Sequence, residues 1–271
     1  QRTTAYASGR LLPRALGCSV LGPARAIAVE LVVSRDAAAL ARRAADHFLD
    51  RVRAKPDLSM AVPAGRTPRL MYSLLAEDNR QGRVNFSRMR VFSVDELCPP
   101  APPDGYFWRQ VGKEFLAWAA VPPDRQHPFR VDRPDLEQMC REYEETIARV
   151  GGLDLVMLGL GPNGHIASNE PGSPFGSRCR PIRLLGSTVD YILTDAVIQG
   201  AVSDRAVTLG IATILEAREV VVLVSGAGKR EPLARMLDGP LTPDVPASAL
   251  QMHPRSIVLA DEAAVAAPSR G

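Results

Sequence analysis

Six short apolar runs punctuate the chain, at residues 26–33, 58–62, 89–94, 153–158, 220–224 and 256–259. Each has the length of a strand, and runs with little polar alternation suit a sheet covered on both faces. Between the runs, apolar positions recur at helical spacing. Residues 36–54 carry Ala, Leu and Phe three and four apart with charges between them, and Ser34 reads as the N-cap of that helix. Further helices are predicted at 69–75, 134–150, 208–217 and 230–237, with an amphipathic segment at 106–119 behind a proline-rich loop at 99–104. Strands alternating with helices predict an α/β fold: an open, mostly parallel sheet with helices on both faces and right-handed crossovers. No repeat or long linker divides it, so residues 26–271 read as one domain. Residues 1–25 hold Arg2, Arg10, Arg14 and Arg25 and no acid, but no clear apolar core or cleavage site. They read as a flexible N-terminal extension rather than a targeting peptide.

The chemistry sits where strands end. Gly65-Arg66-Thr67 follows the second run, Asp95-Glu96 the third, and Asn163, His165 and Glu170 the fourth; Lys229 stands in a turn after the fifth. In a parallel sheet the carboxyl ends share one edge, which is where open α/β folds bind ligands. The groups are therefore expected to converge although the sequence scatters them.

Composition narrows the field. A net charge of +3 over 271 residues, with no basic run interleaved with aromatics, does not suggest a nucleic-acid partner. No stretch of 18 apolar residues is present to span a membrane. Cys18, Cys98, Cys140 and Cys179 form no Cys-x-x-Cys pair, which points to reduced thiols and a cytoplasmic setting. Cys98, close to Asp95, has no sequence neighbour to activate it and reads as a passive thiol. Residues 159–164 satisfy G-x-G-x-x-G, yet Pro171, Gly172 and Pro174 interrupt the helix that a dinucleotide fingerprint must open. Residues 225–229 lack the first Gly and the Ser/Thr of a nucleotide P-loop. His47, His127, His165 and His253 show no metal-ligand spacing. Neither cofactor nor metal is expected.

The string GHIASNEPGS at 164–173, with Val94-Asp95-Glu96 and the Gly65-x-Thr67-Pro68 turn before it, resembles the glucosamine-6-phosphate deaminase/isomerase family. That family shares a superfamily with 6-phosphogluconolactonases, whose loop usually continues Thr-Ala-Ser-Leu-Phe-Pro after Gly-His and lacks the Asn-Glu. The resemblance extends from about Val32 to the end of the chain, through the Lys229 turn and Leu250-Gln251-Met252-His253-Pro254. It implies a Rossmann-like three-layer sandwich and a cofactor-free, isomerising deaminase acting on an amino sugar phosphate by ring opening and C2-proton abstraction. The alternatives are a 6-phosphogluconolactonase-type hydrolase or a non-catalytic sugar-phosphate sensor of the same fold.

On this resemblance Asp95 is the enolising base, and His165 shuttles a proton during ring opening. Glu170 orients His165, and Asn163 hydrogen-bonds beside them. Gly65, Arg66, Thr67 and Lys229 bind the phosphate, through amides at a helix N-terminus and a point charge. Glu96, Gly164 and Arg178 are assigned to substrate binding with them. Two departures stand out. Arg66 occupies a position more usually Gly or Ser, and the arginine that follows Ser-Arg-x-Arg in the deaminases is missing from residues 188–194. Arg66 is expected either to reach the phosphate or to close part of the pocket. Ser173 and Arg180 match allosteric positions of hexameric members, but Ile182 stands where those carry a lysine, so allostery is not expected. A homo-oligomer remains open.

Overall fold

The computed structural model describes residues 29–102, 105–195, 198 and 202–265, so the extension at 1–25 and Cys18 lie outside the described residues. Ten strands form among them: β1 (Glu30–Ser34), β2 (Ser59–Val62), β3 (Arg90–Ser93), β4 (Asp95–Leu97), β5 (Gln126–His127), β6 (Leu155–Gly159), β7 (Arg180–Arg183), β8 (Arg205–Thr208), β9 (Val220–Val224) and β10 (Ser256–Asp261). Seven make one sheet in the order β1-β10-β9-β6-β2-β3-β5, and every pairing in it is parallel.

Strand alternation builds two cores from one set of runs. Val156, Leu158, Val220, Val222 and Val258 point to one face, against Met139, Tyr143 and Ile147 of the helix Leu136–Arg149 and Leu233 and Met236 of the helix Arg230–Asp238. Leu155, Met157, Val221, Leu223 and Leu259 point to the other, against Leu40, Phe48 and Val52 of the helix Ala37–Ala54 and Met71, Tyr72 and Leu75 of the helix Pro68–Arg80. The result is the expected three-layer sandwich. Met157, with no exposure, lies in the middle strand, and truncating such a side chain costs about 2–5 kcal/mol.

The chain runs outward in two directions, through β2, β3 and β5 on one side and β6, β9, β10 on the other. The switch falls between β2 and β6, and crevices at such points are where these sheets bind ligands.

Several predicted elements need correction. Ser34 ends β1; the cap of the first helix is Asp36, whose carboxylate accepts from the Ala39 amide at 2.8 Å. Residues 208–217 are not one helix. Ala206 and Val207 are buried in β8, which runs to Thr208, and the helix Ile211–Leu215 begins only after Gly210. A side chain at Gly210 would meet the Ser177 carbonyl at 2.1 Å, so the chain must pass there as glycine. The segment at 106–119 contains a π-helical turn, Gly112–Leu116, between two short α-helical pieces. Unforeseen altogether is an antiparallel ribbon, β4-β8-β7, that pairs Asp95 with Thr208, Glu96 with Val207 and Arg180 with Thr208.

Candidate active site

A cleft of about 990 Å³, measured out to its open mouth, lies over the carboxyl ends of β2 and β6, at the switch point. The turn after β2, the start of β4, the loop after β6, the helix Gly186–Leu193 and the turn after β9 line it. Asp95, His165, Gly65, Arg66, Thr67 and Lys229 all face this one space, from four separate strand ends. The convergence expected from the sequence is present.

Two glycines permit the geometry. Gly65 holds φ +100, in the left-handed region that side chains disfavour, and turns the chain into the helix Pro68–Arg80. Gln110 grips it twice, its Oε1 accepting from the Gly65 amide at 3.0 Å and its Nε2 donating to the Gly65 carbonyl at 2.8 Å. The Gly65 amide is therefore engaged within the protein, which leaves the Arg66 and Thr67 amides as the ones heading that helix. Gly161 serves the imidazole instead of a pyrophosphate. A side chain there would stand 2.3 Å from the His165 ring, so the second glycine of the apparent dinucleotide fingerprint is space for His165.

Asp95 is raised to about 6 by burial, partly offset by the hydroxyl of Ser168, which donates to its Oδ2 at 2.7 Å. His165 is lowered to about 4, by burial first and by the Lys229 charge, against the pull of Glu170. At neutral pH the site thus holds an ionised carboxylate of raised proton affinity beside a neutral imidazole. His165 Nδ1 lies 2.7 Å from Asn163 Oδ1, which selects the tautomer that donates from Nδ1 and leaves Nε2 as the basic nitrogen. Asn163 Nδ2 in turn donates to Glu170 Oε2 at 2.8 Å.

Glu170, expected to orient His165, is joined to it through that chain. The two stand 3.9 Å apart, and the Asn163 amide spans the gap because it can accept on one side and donate on the other. The link orients His165 but carries no proton.

Three residues assigned to substrate binding lie elsewhere. Glu96 turns away from the cleft and is buried; its Oε1 accepts from the amides of Leu97, Tyr106 and Phe107, and its Oε2 from that of Trp108 at 2.7 Å. Burial raises it to about 7, so it anchors the segment Phe107–Val111 rather than a ligand. Gly164 shapes the loop, its carbonyl accepting from the Ala247 amide at 3.0 Å. Arg178 is drawn to the surface by Glu216, with Nη1 2.6 Å from Oε2. Cys98 is buried, and burial raises its thiol, as befits a passive group.

The sequence reading missed Ser168, Gln110, Thr188, Tyr191 and Asp195, all of which line the cleft. Two cations lie against Tyr191. The Arg66 guanidinium carbon and Lys229 Nζ each lie 4.7 Å from its ring centroid, and Lys229 donates to its hydroxyl at 3.3 Å. Arg66 also donates to Thr194 Oγ1 at 2.8 Å, so its guanidinium stands within the segment that lacks the family arginine. Asp195, buried, is held by Arg69 at 2.7 and 2.9 Å.

Comparisons with known proteins agree with this architecture. Residues 35–259 match the family described as glucosamine-6-phosphate isomerases/6-phosphogluconolactonase. The chain is 34% identical to glucosamine-6-phosphate deaminase 2 of Bacillus subtilis, covering 86% of this chain and 95% of that one. It is 36% identical to glucosamine-6-phosphate deaminase of Cellvibrio japonicus, over 87% and 90%. Among solved structures it resembles a monomeric glucosamine-6-phosphate deaminase with a TM-score of 0.81 and 30% identity, covering 87% and 98%. The Trypanosoma brucei 6-phosphogluconolactonase shares the fold, with a TM-score of 0.71 at 22% identity over 88% and 98%. The chain belongs to the glucosamine-6-phosphate isomerase/6-phosphogluconolactonase family.

Proposed function

We propose that this protein is an isomerising deaminase that converts glucosamine 6-phosphate and water to fructose 6-phosphate and ammonia. The observation that carries the reading is the pairing, across one cleft, of a carboxylate titrating near 6 with a neutral imidazole. Proton abstraction next to a carbonyl needs a base that is ionised yet proton-hungry at neutral pH. His165 Nε2 takes the anomeric hydroxyl proton and returns one to the ring oxygen, opening the sugar. Asp95 then takes the C2 proton, and protonation at C1 gives the 2-imine. Water adds at C2 and ammonia leaves.

The phosphate is assigned to the Arg66 and Thr67 amides at the head of the helix Pro68–Arg80, with the charges of Arg66 and Lys229. Arg66 here takes over the task of the arginine missing from residues 188–194. Two cations over one tyrosine ring, in a cleft mouth, suit a dianionic group. We assign the enzyme to the cytoplasm. Buried thiols at Cys98, Cys140 and Cys179 support that setting, and no described helix is long and apolar enough to cross a membrane. Assay of ammonia release from glucosamine 6-phosphate tests the proposal, and turnover is expected. Absence of ammonia together with hydrolysis of 6-phosphogluconolactone would replace it with the lactonase reading. Ligand-induced thermal stabilisation with neither product would replace it with the sensor.

A further inference from the structure

We propose that Ser168 is a positioning residue for the base, its hydroxyl pinning one oxygen of the Asp95 carboxylate and leaving the other for the substrate. The inference rests on the reading above, in which Asp95 takes the C2 proton. Ser168, in the loop after β6, is buried, and its Oγ donates to Asp95 Oδ2 at 2.7 Å. The two residues are 73 positions apart.

The surrounding structure fixes both partners. Ser93 Oγ donates to the Asp95 carbonyl at 2.7 Å and holds the backbone of the base. The Ser168 amide donates to Thr208 Oγ1 at 3.1 Å, and Thr208 is the residue paired with Asp95 in the ribbon. Base and positioning residue are thus referenced to the same strand pair. Ala167, just before Ser168, adopts φ +48, a conformation that a residue with a Cβ rarely accepts. Asn169, just after, is fully buried and donates to the carbonyls of Ile166 and Leu209 at 3.1 and 2.8 Å. A strained turn, tied down on both sides, aims one hydroxyl at one carboxylate oxygen.

The chemistry follows from the donor being neutral. A lysine or arginine in this place would hold Asp95 ionised and poor as a base. A hydroxyl offsets part of the desolvation and fixes orientation while leaving the proton affinity raised. The other charged or titratable groups that share the cleft with Asp95 or lie next to it are Glu96 on its own strand, His165 and, behind it, Glu170 from the loop after β6, Arg66 from the turn after β2, Tyr191 of the helix Gly186–Leu193, Asp195 after that helix, and Lys229 after β9. Ser168 is the side chain with an identified hydrogen bond to the carboxylate among the described residues.

The test compares Ser168→Ala and Ser168→Thr with the wild type. Two readouts are needed: the pH profile of kcat/KM for glucosamine 6-phosphate, and the titration of the Asp95 carboxyl carbon by NMR in substrate-free protein. In Ser168→Ala the Asp95 titration is expected to rise by about one pH unit, carrying the acidic limb of kcat/KM with it. The kcat at neutral pH falls about tenfold while KM stays within about twofold. Ser168→Thr, which keeps the hydroxyl, restores the wild-type titration. An unmoved Asp95 titration in a Ser168→Ala protein of wild-type melting temperature overturns the inference, and so does an altered KM with an unmoved acidic limb. If the wild type releases no ammonia, the functional reading fails, while the carboxyl titration still decides the role of Ser168.

Discussion

Two carboxylates at opposite ends of the sheet face opposite electrostatic fates. Glu219 immediately precedes β9 at the amino edge, and its side chain is 3% exposed. Burial alone would raise its pKa, but the close His47 and Arg51 side chains more than offset that and bring it to about 2. Arg51 grips it with Nε at 2.6 Å and Nη2 at 2.9 Å, and His47 Nε2 and Arg255 Nη2 stand 3.1 and 3.7 Å away. Asp95, at the carboxyl edge, is raised to about 6 and receives a hydroxyl instead of a cation. Burial acts in the same direction on both, raising the proton affinity; the neighbours differ. Where a carboxylate ties the helix Ala37–Ala54 to the sheet, its charge is neutralised. Where a carboxylate is proposed to take a proton, its charge is left costly, a trade of stability for reactivity.

The contrast can be broken from either end. Asp95→Asn is expected to lower kcat about a thousandfold and to abolish exchange of the substrate C2 hydrogen with deuterated solvent, followed by NMR. Undiminished exchange would assign the base elsewhere. The same variant should unfold at higher denaturant concentration near pH 8. Asp95 titrates above its ordinary 3.8 in the folded protein, so its ionised form destabilises the fold above about pH 6 and the penalty fades as the pH falls towards 3.8. The expected gain is about 1–2 kcal/mol at pH 8, vanishing below about pH 4.

Glu219→Gln should do the reverse, costing about 2 kcal/mol at neutral pH with kcat unchanged. Its folded pKa is depressed, so its stabilisation is complete above 4.5 and lost as the pH falls towards 2. The wild-type stability profile should bend in that window and the variant's should not, as read by urea unfolding at several pH values. A large loss of activity in Glu219→Gln would erase the distinction between the two edges. The smallest effect is expected at Lys229→Ala, with KM raised about tenfold and kcat within about twofold, because a phosphate anchor binds ground and transition states alike. A fallen kcat at constant KM, measured by steady-state kinetics, would move Lys229 into the proton chemistry.

Much of this was legible in the chain because it depends on local pattern. The run Val220–Val224 announces a central strand, and parallel strands force Asp95, His165 and Lys229 to one edge whatever their spacing. The ribbon was not legible. β4 and β8 are three and four residues long, and their pairing joins residues more than a hundred positions apart, so no periodicity reports it. Ser168 was visible as a polar residue in a conspicuous loop, but its partner is set by the fold. Asn163 and Glu170 were both assigned to the site, yet which of them touches His165 is decided by about an ångström of loop geometry, 2.7 against 3.9 Å.

Asp95 and Glu96 are neighbours of nearly the same chemistry, and only the pairing of β4 with β8 tells them apart. Asp95 stands opposite Thr208 and faces the sugar cleft; Glu96 stands opposite Val207 and faces the amides of Tyr106, Phe107 and Trp108. Sliding one strand past the other by a single residue would undo that sorting, putting Glu96 opposite Thr208 with Leu97 opposite Val207, or Asp95 opposite Val207 with Val94 opposite Thr208. The three rungs of this ribbon therefore act as an indexing pin, and an insertion or deletion in them would change which side chain meets the cleft and which meets the amides.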